Sequence, residues 1–395
     1  MSEPKATRRK FIGSVLAATA GASLSTSTAT ASSSAGTPAG RSQPANPPEW
    51  RNKQPGMSYR MFGHTGMMVS EMVHGTTPWN GDQFIPLIEA GLEHGINYID
   101  TASAYSRGEA ERVIGRFIKQ TGKRDQFFLS TKISFYDEYM NKLSQQMLRD
   151  LPGAKQEALG QQATAMIEER AVMKPGYHFQ YFGGQERKFH QIYLRHLIFK
   201  EYGSIKKWKG EIQSHARSLV ENSLKATQTD HFDVLHCPHG VAMPEELEDE
   251  NIREVFEQLK AEGKIRFCAA SMHNDVAANL EKMIEVGYYD GAMVAYNIGN
   301  HAALDIPVRR ASEAGMGIVA MKVARIISNP RMEIPQWRIE KLNAAIGEKR
   351  SLQSKAYLWA LQNPNISCCV AEMLTPEIIA DNASVTGRKV TLGAV

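Results

Sequence analysis

Asp100-Thr-Ala-Ser-Ala-Tyr105-Ser-Arg-Gly108-Glu-Ala-Glu111-Arg-Val-Ile-Gly115, followed by Ser130-Thr-Lys132, is the stretch whose reading decides the fold. Asp100 closes a short apolar run, Ile96-Asn-Tyr-Ile99, that reads as a strand. Tyr105 follows in a loop, ahead of a helical pattern from Glu109 to Gln120. Lys132 ends the next strand-like run, Phe127-Phe-Leu-Ser-Thr131. This alternation argues for parallel βα units. In a (β/α)8 barrel the carboxyl ends of the strands converge on one face, where catalytic groups gather. There an acid, a phenol and an amine have a joint chemistry. The ammonium is expected to lower the phenol pKa, the phenol to give a proton to a carbonyl, and the carboxylate to orient the Lys.

The run resembles the aldo-keto reductase pattern Asp-Thr-Ala-x-x-Tyr-x-x-Gly-x-x-Glu-x-x-Ile/Leu-Gly, then Thr-Lys. The resemblance implies a (β/α)8 barrel with an N-terminal hairpin plugging its bottom, and NADP(H)-dependent carbonyl chemistry. It extends over roughly residues 58–134 and 214–385.

Outward from this core, the N-terminus has the parts of a secretory signal: Arg8-Arg9-Lys10-Phe11-Ile12, a small-residue apolar stretch from Ser14 to Leu24, and an Ala29-Thr30-Ala31 cleavage site. The Arg pair resembles a twin-arginine address. Residues 1–31 are therefore expected to be a signal peptide read by the twin-arginine translocon. Cleavage is expected near Ala31, with export to the bacterial periplasm or beyond. The apolar stretch is too short to span a bilayer, so no stable membrane anchor is expected. Residues 32–57, rich in Pro, Gly, Ser and Asn, read as a flexible linker, with the folded domain over 58–390.

A net charge of +4 and no basic run interleaved with aromatics outside the insertion described below exclude a nucleic-acid-binding reading. The four Cys lie at three places, Cys237, Cys268 and Cys368-Cys369, which is neither a disulfide framework nor a metal spacing. No metal is expected. Three His of the insertion, His178, His190 and His196, lack a metal-binding motif.

Ser58 to Ser70 reads as a hairpin and Glu71-Met-Val-His-Gly75-Thr as the first barrel strand. After Ile133 the barrel pattern breaks. An insertion of about 135–213 carries two helical stretches, Asp137–Arg149 and Lys155–Glu169, then an aromatic, basic segment from Tyr177 to His196. It emerges from the catalytic face, so it is either a lid or substrate wall, or a surface appendage.

Later strands read as His231–Gly240, Gly263–Ser271, Tyr289–Asn297, Gly317–Lys322 and Ile366–Ala371. The resemblance places a His at the end of the first of these. Two are offered, His236 and His239, neither at the family spacing after Asp233. His239, past the apolar run, is the favoured catalytic residue beside Asp100, Tyr105 and Lys132; His236 is the fallback. One of them is expected to donate to the substrate carbonyl oxygen. The resemblance also implies cofactor contacts: Ser271 and Asn274 at the nicotinamide, Tyr296 from a Tyr-Asn pair, Lys322 toward the pyrophosphate, and Thr375 and Asn382 at the adenosine end. Two departures stand against it. Met293 occupies the position of a nicotinamide-binding Gln, and Glu372 that of a Gly near the phosphates.

The expected function is an exported NADPH-dependent reductase of an aldehyde, ketone or sugar. The alternative is a non-catalytic barrel with a degenerate cofactor site, binding a small molecule or a protein. Trp79, Tyr181 and Phe182 are candidates to stack on a sugar.

Overall fold

A computed structural model describes residues 46–203, 205–329 and 333–394. The signal-peptide reading and most of the linker lie outside the described residues.

Three short strands come first: β1 (Glu49–Trp50), β2 (Tyr59–Met61) and β3 (Met67–Ser70). β2 and β3 pair antiparallel, as a hairpin should. β1 adds to β3 in parallel, so the expected hairpin is a three-stranded sheet. The linker expected to run to residue 57 therefore ends sooner. Arg51 is held by the buried Asp233 and by the Phe127 carbonyl, contacts between distant chain positions that local composition does not reveal.

β4 (Met72–Gly75), α1 (Ile85–Glu93), β5 (Tyr98–Asp100), α2 (Glu109–Thr121) and β6 (Phe128–Lys132) follow. The insertion contributes α3 (Tyr136–Arg149), α4 (Gly153–Glu169) and α5 (Gln185–Tyr202). The chain then runs through α6 (Lys209–Thr227), β7 (Phe232–His239), α7 (Glu250–Ala261), β8 (Ile265–Met272), α8 (Val276–Val286), β9 (Gly291–Ala295) and α9 (His301–Glu313). It closes with β10 (Gly317–Met321), α10 (Gln336–Ala345), α11 (Leu352–Ala360), β11 (Cys368–Glu372) and α12 (Pro376–Ala383). Strands β4 to β11 form a closed, all-parallel barrel of eight, the expected fold.

The period of two along a strand decides what faces the barrel axis. Val73, Tyr98, Phe128, Val234, Ala269, Met293, Val319 and Cys368 pack together inside, with Phe62, Met67 and Val69 of the small sheet closing one end. Two residues beyond Tyr98 and four beyond Phe128, on the same face, stand Asp100 and Lys132.

The insertion is itself packed. Leu159, Ala163, Phe189, Ile192, Tyr193 and Leu197 bury against one another and reach Ala242 and Met243 of the loop after β7. Its third helix, α5, was not expected. The apolar positions 189, 192, 193 and 197 carry its helical period. No described helix is long and apolar enough to cross a membrane.

Candidate active site at the carboxyl end of the barrel

The Asp100 carboxylate and the Lys132 ammonium form a buried pair, with Nζ 2.8 Å from Oδ1 and 2.6 Å from Oδ2. Nζ also donates to the Thr101 carbonyl at 2.8 Å, and Ser130 Oγ donates to Asp100 Oδ1 at 2.7 Å. Burial is the largest influence on Lys132 and would push its pKa down; Asp100 and Tyr105, through charge and hydrogen bonding together, outweigh it and hold the pKa above its ordinary value. The strand that carries Lys132 is braced from α2, where the buried Glu111 accepts from Thr131 Oγ1 at 2.6 Å. That bond gives a physical reason for the Glu and the Thr-Lys in the sequence motif.

Tyr105 opens a turn in which Ser106 (φ 47°), Arg107 (φ 56°) and Gly108 (φ 81°) are all left-handed. Such backbone is costly for the first two residues and gathers at functional sites. The turn sets the Tyr105 ring over Lys132, whose Nζ is 4.9 Å from the ring centroid. The phenol pKa is raised, not lowered as expected. Burial is the largest cause, and the opposing Lys132 charge is offset further by Asp100. The ammonium is already committed to its carboxylate, so it acts on the phenol as half of a neutral pair.

His239 faces Tyr105 edge-on, with ring centroids 6.3 Å apart, and its Nδ1 is 3.0 Å from Ser134 Oγ. His236 lies deeper, fully buried, with both ring nitrogens unpartnered and its pKa pushed down to about 4 by burial and then Lys132. Between His236 and His239 the register shifts: β7 advances three residues where β8 advances two, from Ala269 to Ser271. This bulge lets both His face inward and brings His239 to the mouth. His239 is held neutral by burial and by Lys132.

A cavity of about 770 Å³ opens over these groups, lined by Tyr105, Lys132, His239, Ser271, His273 and Asn274 among others. A smaller one of about 190 Å³ continues between β10 and β11. The two share Thr77, Tyr105, Met321, Lys322, Arg325 and Glu372, so they form one bent cleft. The insertion supplies its far wall through Tyr181, Phe182, Gln185 and Lys188. It is a wall of the site and not a surface appendage. Tyr177 ties it down, donating to Asp275 Oδ1 at 2.8 Å.

The residues expected at a cofactor divide. Ser271 Oγ is buried in the cleft with no hydrogen-bond partner. Asn274 lines the cleft and accepts from Gln185 Nε2 at 2.6 Å. Lys322, at φ 61°, sits where the two cavities meet. Burial, then Arg325 and Lys132, lower its pKa against Glu372. The other three lie elsewhere. Met293 packs inside the barrel, so Tyr296, three residues on, falls on the opposite phase. Its ring stacks on Trp359 at 5.4 Å and its hydroxyl donates to Asp305. Thr375 caps α12, accepting from the Ile378 amide, and Asn382 is buried in the same helix; neither lines the cleft. Trp79 is fully buried against His74 and Phe84 and is no stacking platform. His178, His190 and His196 do not converge: His178 stands 3.6 Å from Glu186, His190 bonds the Gly160 carbonyl, and His196 lines a separate cavity with Glu245. The residues that local sequence missed are Ser134, Gln185, Lys188 and Arg325. Of these only the last two, as cations in loop and insertion, carried any signal.

The model of the Aldo/keto reductase family matches residues 66–160, the segment that holds Asp100, Tyr105 and Lys132. Among curated proteins, the aldo-keto reductase YhdN of Bacillus subtilis is 42% identical over 84 residues, 19% of this chain and 25% of that protein. A probable voltage-gated potassium channel subunit beta of Arabidopsis thaliana is 31% identical over 83 residues, 20% of this chain and 25% of that protein. The chain thus matches about a quarter of the length of these relatives. Among solved structures, an aldo-keto reductase from Klebsiella pneumoniae in complex with NADPH aligns over 83% of this chain and 89% of its own, with a TM-score of 0.54 at 18% identity. The holo form of aldo-keto reductase AKR11C1 from Bacillus halodurans aligns over 84% and 92%, with a TM-score of 0.56 at 18% identity. These two likenesses establish the barrel. The family model and the curated relatives support the aldo/keto reductase family.

Proposed function

We propose that this protein is an NADP(H)-dependent oxidoreductase of aldo-keto reductase type that interconverts a carbonyl and an alcohol. One observation carries the reading: Lys132, paired with Asp100, lies under the Tyr105 ring in a cleft shared with His239 and Ser271. The cleft fits a nicotinamide nucleotide. Ser271 offers an orphaned hydroxyl, and Lys322 and Arg325 offer positive charge where the cleft bends toward β10 and β11. When bound, the reduced nicotinamide supplies the hydride.

The chain's own groups supply the rest. Tyr105, its pKa held high, is protonated at neutral pH and gives its proton to the carbonyl oxygen. In the tautomer whose Nδ1 accepts from the Ser134 hydroxyl 3.0 Å away, His239 carries its hydrogen on Nε2 and donates to the same oxygen. Asp100 fixes Lys132, whose charge steadies the phenolate as the proton leaves. The insertion wall, with the amides of Gln145 and Gln191, suits hydroxyl-bearing substrates, so sugars and aldehydes are the first to screen.

Export by the twin-arginine route belongs to the same proposal. That route carries folded proteins, and a nucleotide held through it would answer the lack of NADPH outside the cytoplasm. Mass spectrometry of nucleotide released from the exported protein, with turnover of the wild type and Tyr105→Phe, tests the whole. Bound NADP(H), and a turnover loss of about a hundredfold or more on removing the phenol, are expected. Absence of nucleotide binding on titration would sink the reading. It would favour the alternative, a barrel kept as a binding protein, for which Met293 and Glu372 speak and to which one relative's name, a channel subunit, also points.

A further inference from the structure

A second cavity, of about 360 Å³, lies between the insertion loop and the segment that follows β10. Arg325, Arg338, His178, Phe179, Tyr181 and Trp337 line it. The Nε of Arg325 and the Nε of Arg338 are both buried without a hydrogen-bond partner. The His178 ring is buried with its Nδ1 unpartnered, while its Nε2 faces the Glu186 carboxylate at 3.6 Å. Arg338 spends one amino group on the Ile326 carbonyl at 3.2 Å. Among the described residues no carboxylate lines this cavity. The Arg338 guanidinium sits 5.0 Å from the Phe179 ring centroid and 5.4 Å from that of Trp337. Trp337 is 49% exposed, an unusual position for an indole.

Buried guanidinium donors without acceptors are costly and are normally matched. Two of them in one cavity, free of acid and flanked by aromatic faces, select a particular guest. We propose that this cavity is a binding subsite for a ring-borne anion, a carboxylate or phosphate on an aromatic or sugar ring. The guanidinium forks hold the anion and the rings hold the plane. Arg325 and Tyr181 also line the active-site cleft. The anion therefore has two sources, the far end of a substrate lying in that cleft or a separate effector.

The test needs no turnover. Phenyl phosphate, benzoate and inorganic phosphate are titrated calorimetrically into the full chain, alongside NADPH. Wild type is expected to bind phenyl phosphate saturably at one site and more tightly than inorganic phosphate. Arg338→Gln is expected to weaken this by about tenfold or more, with Arg338→Lys between and NADPH affinity within about twofold of wild type. His178→Gln, weaker by a few fold, serves if the arginine variant does not fold. Three results overturn the proposal: no saturable binding by wild type, binding unmoved by both variants, or NADPH affinity falling in step with phenyl phosphate, which would give Arg338 to the cofactor. The source is read from kinetics. If phenyl phosphate raises KM for anionic carbonyls and leaves neutral ones alone, the subsite takes the substrate's own anion; an equal effect on both makes it an effector site.

Discussion

Gln185 Nε2 donates to Asn274 Oδ1 at 2.6 Å, joining the first turn of an insertion helix to the loop after β8. The same side chain accepts from the Tyr181 amide at 2.8 Å and donates to the Phe179 carbonyl at 3.0 Å. One buried amide thus holds the aromatic wall and Asn274, a residue lining the cleft, in register. Gln185→Leu leaves three buried groups unpaired and is expected to cost about 1–3 kcal/mol of stability. Because Asn274 is freed, NADPH affinity is expected to fall as well. A thermal melt and an NADPH titration on the variant check both; an unchanged nucleotide affinity would make the contact purely structural.

The pH profile follows from two shifts of opposite sign. The Tyr105 phenol is raised above its ordinary 10.0, so its acid form, which reduction requires, persists beyond that pH. His239 is lowered well below its ordinary 6.5, so it stays neutral through that pH. Carbonyl reduction, measured as kcat/KM, is expected to run flat from about pH 6.5 to about pH 10. An inflection near 8 would mean that Lys132 wins over burial and that the phenol ionises early.

Much of this site was legible because its parts are close in sequence or locked in phase. Asp100 and Lys132 sit on consecutive strand ends, with Tyr105 in the turn just after the first, and a period of two carries each strand-borne side chain inward. The ambiguity between His236 and His239 came from a bulge, which strand alternation alone does not announce. Tyr296 failed for the converse reason: with Met293 inside, its phase turns it to Trp359. The insertion wall was illegible in role because Gln185, Asn274 and Tyr181 meet only in the folded chain, and α5 went unread although Phe189, Ile192, Tyr193 and Leu197 carry its helical spacing.

Asp233 shows a second long-range arrangement. It is buried among Arg51, Arg124 and Arg266, and accepts from the Leu129 amide at 2.8 Å. Burial would raise its pKa, but the arginines outweigh it and depress it below the ordinary 3.8. A depressed carboxylate stabilises the fold fully above its unfolded pKa, and that contribution is lost as pH falls through the folded value. Asp233→Asn is expected to destabilise at neutral pH by about 3–5 kcal/mol, as for a buried pair broken on one side. It is also expected to flatten the loss of stability below about pH 4. Denaturant melts at pH 7 and pH 3 separate the two effects. A variant as stable as wild type at neutral pH would show that the cluster contributes nothing net.

Glu372 offers the sharpest test of where the nucleotide lies. It ends β11, is exposed, and lines both halves of the cleft. It is near enough to Lys322 to raise that ammonium's pKa against the effects of burial, Arg325 and Lys132. Pyrophosphate at the bend would gain from Lys322 and lose to Glu372. Glu372→Gln keeps the shape and removes the charge. A like-charge contact across a few ångströms of partly solvated cleft is worth about 1 kcal/mol, so the variant is expected to bind NADPH about fivefold more tightly. The gain should shrink as salt rises through about 0.15 M. Lys322→Met should shift affinity the other way by a similar factor. Calorimetric titration at two ionic strengths reads both. If Glu372→Gln instead weakens binding, the carboxylate accepts from a ribose hydroxyl, and the phosphates lie away from Lys322.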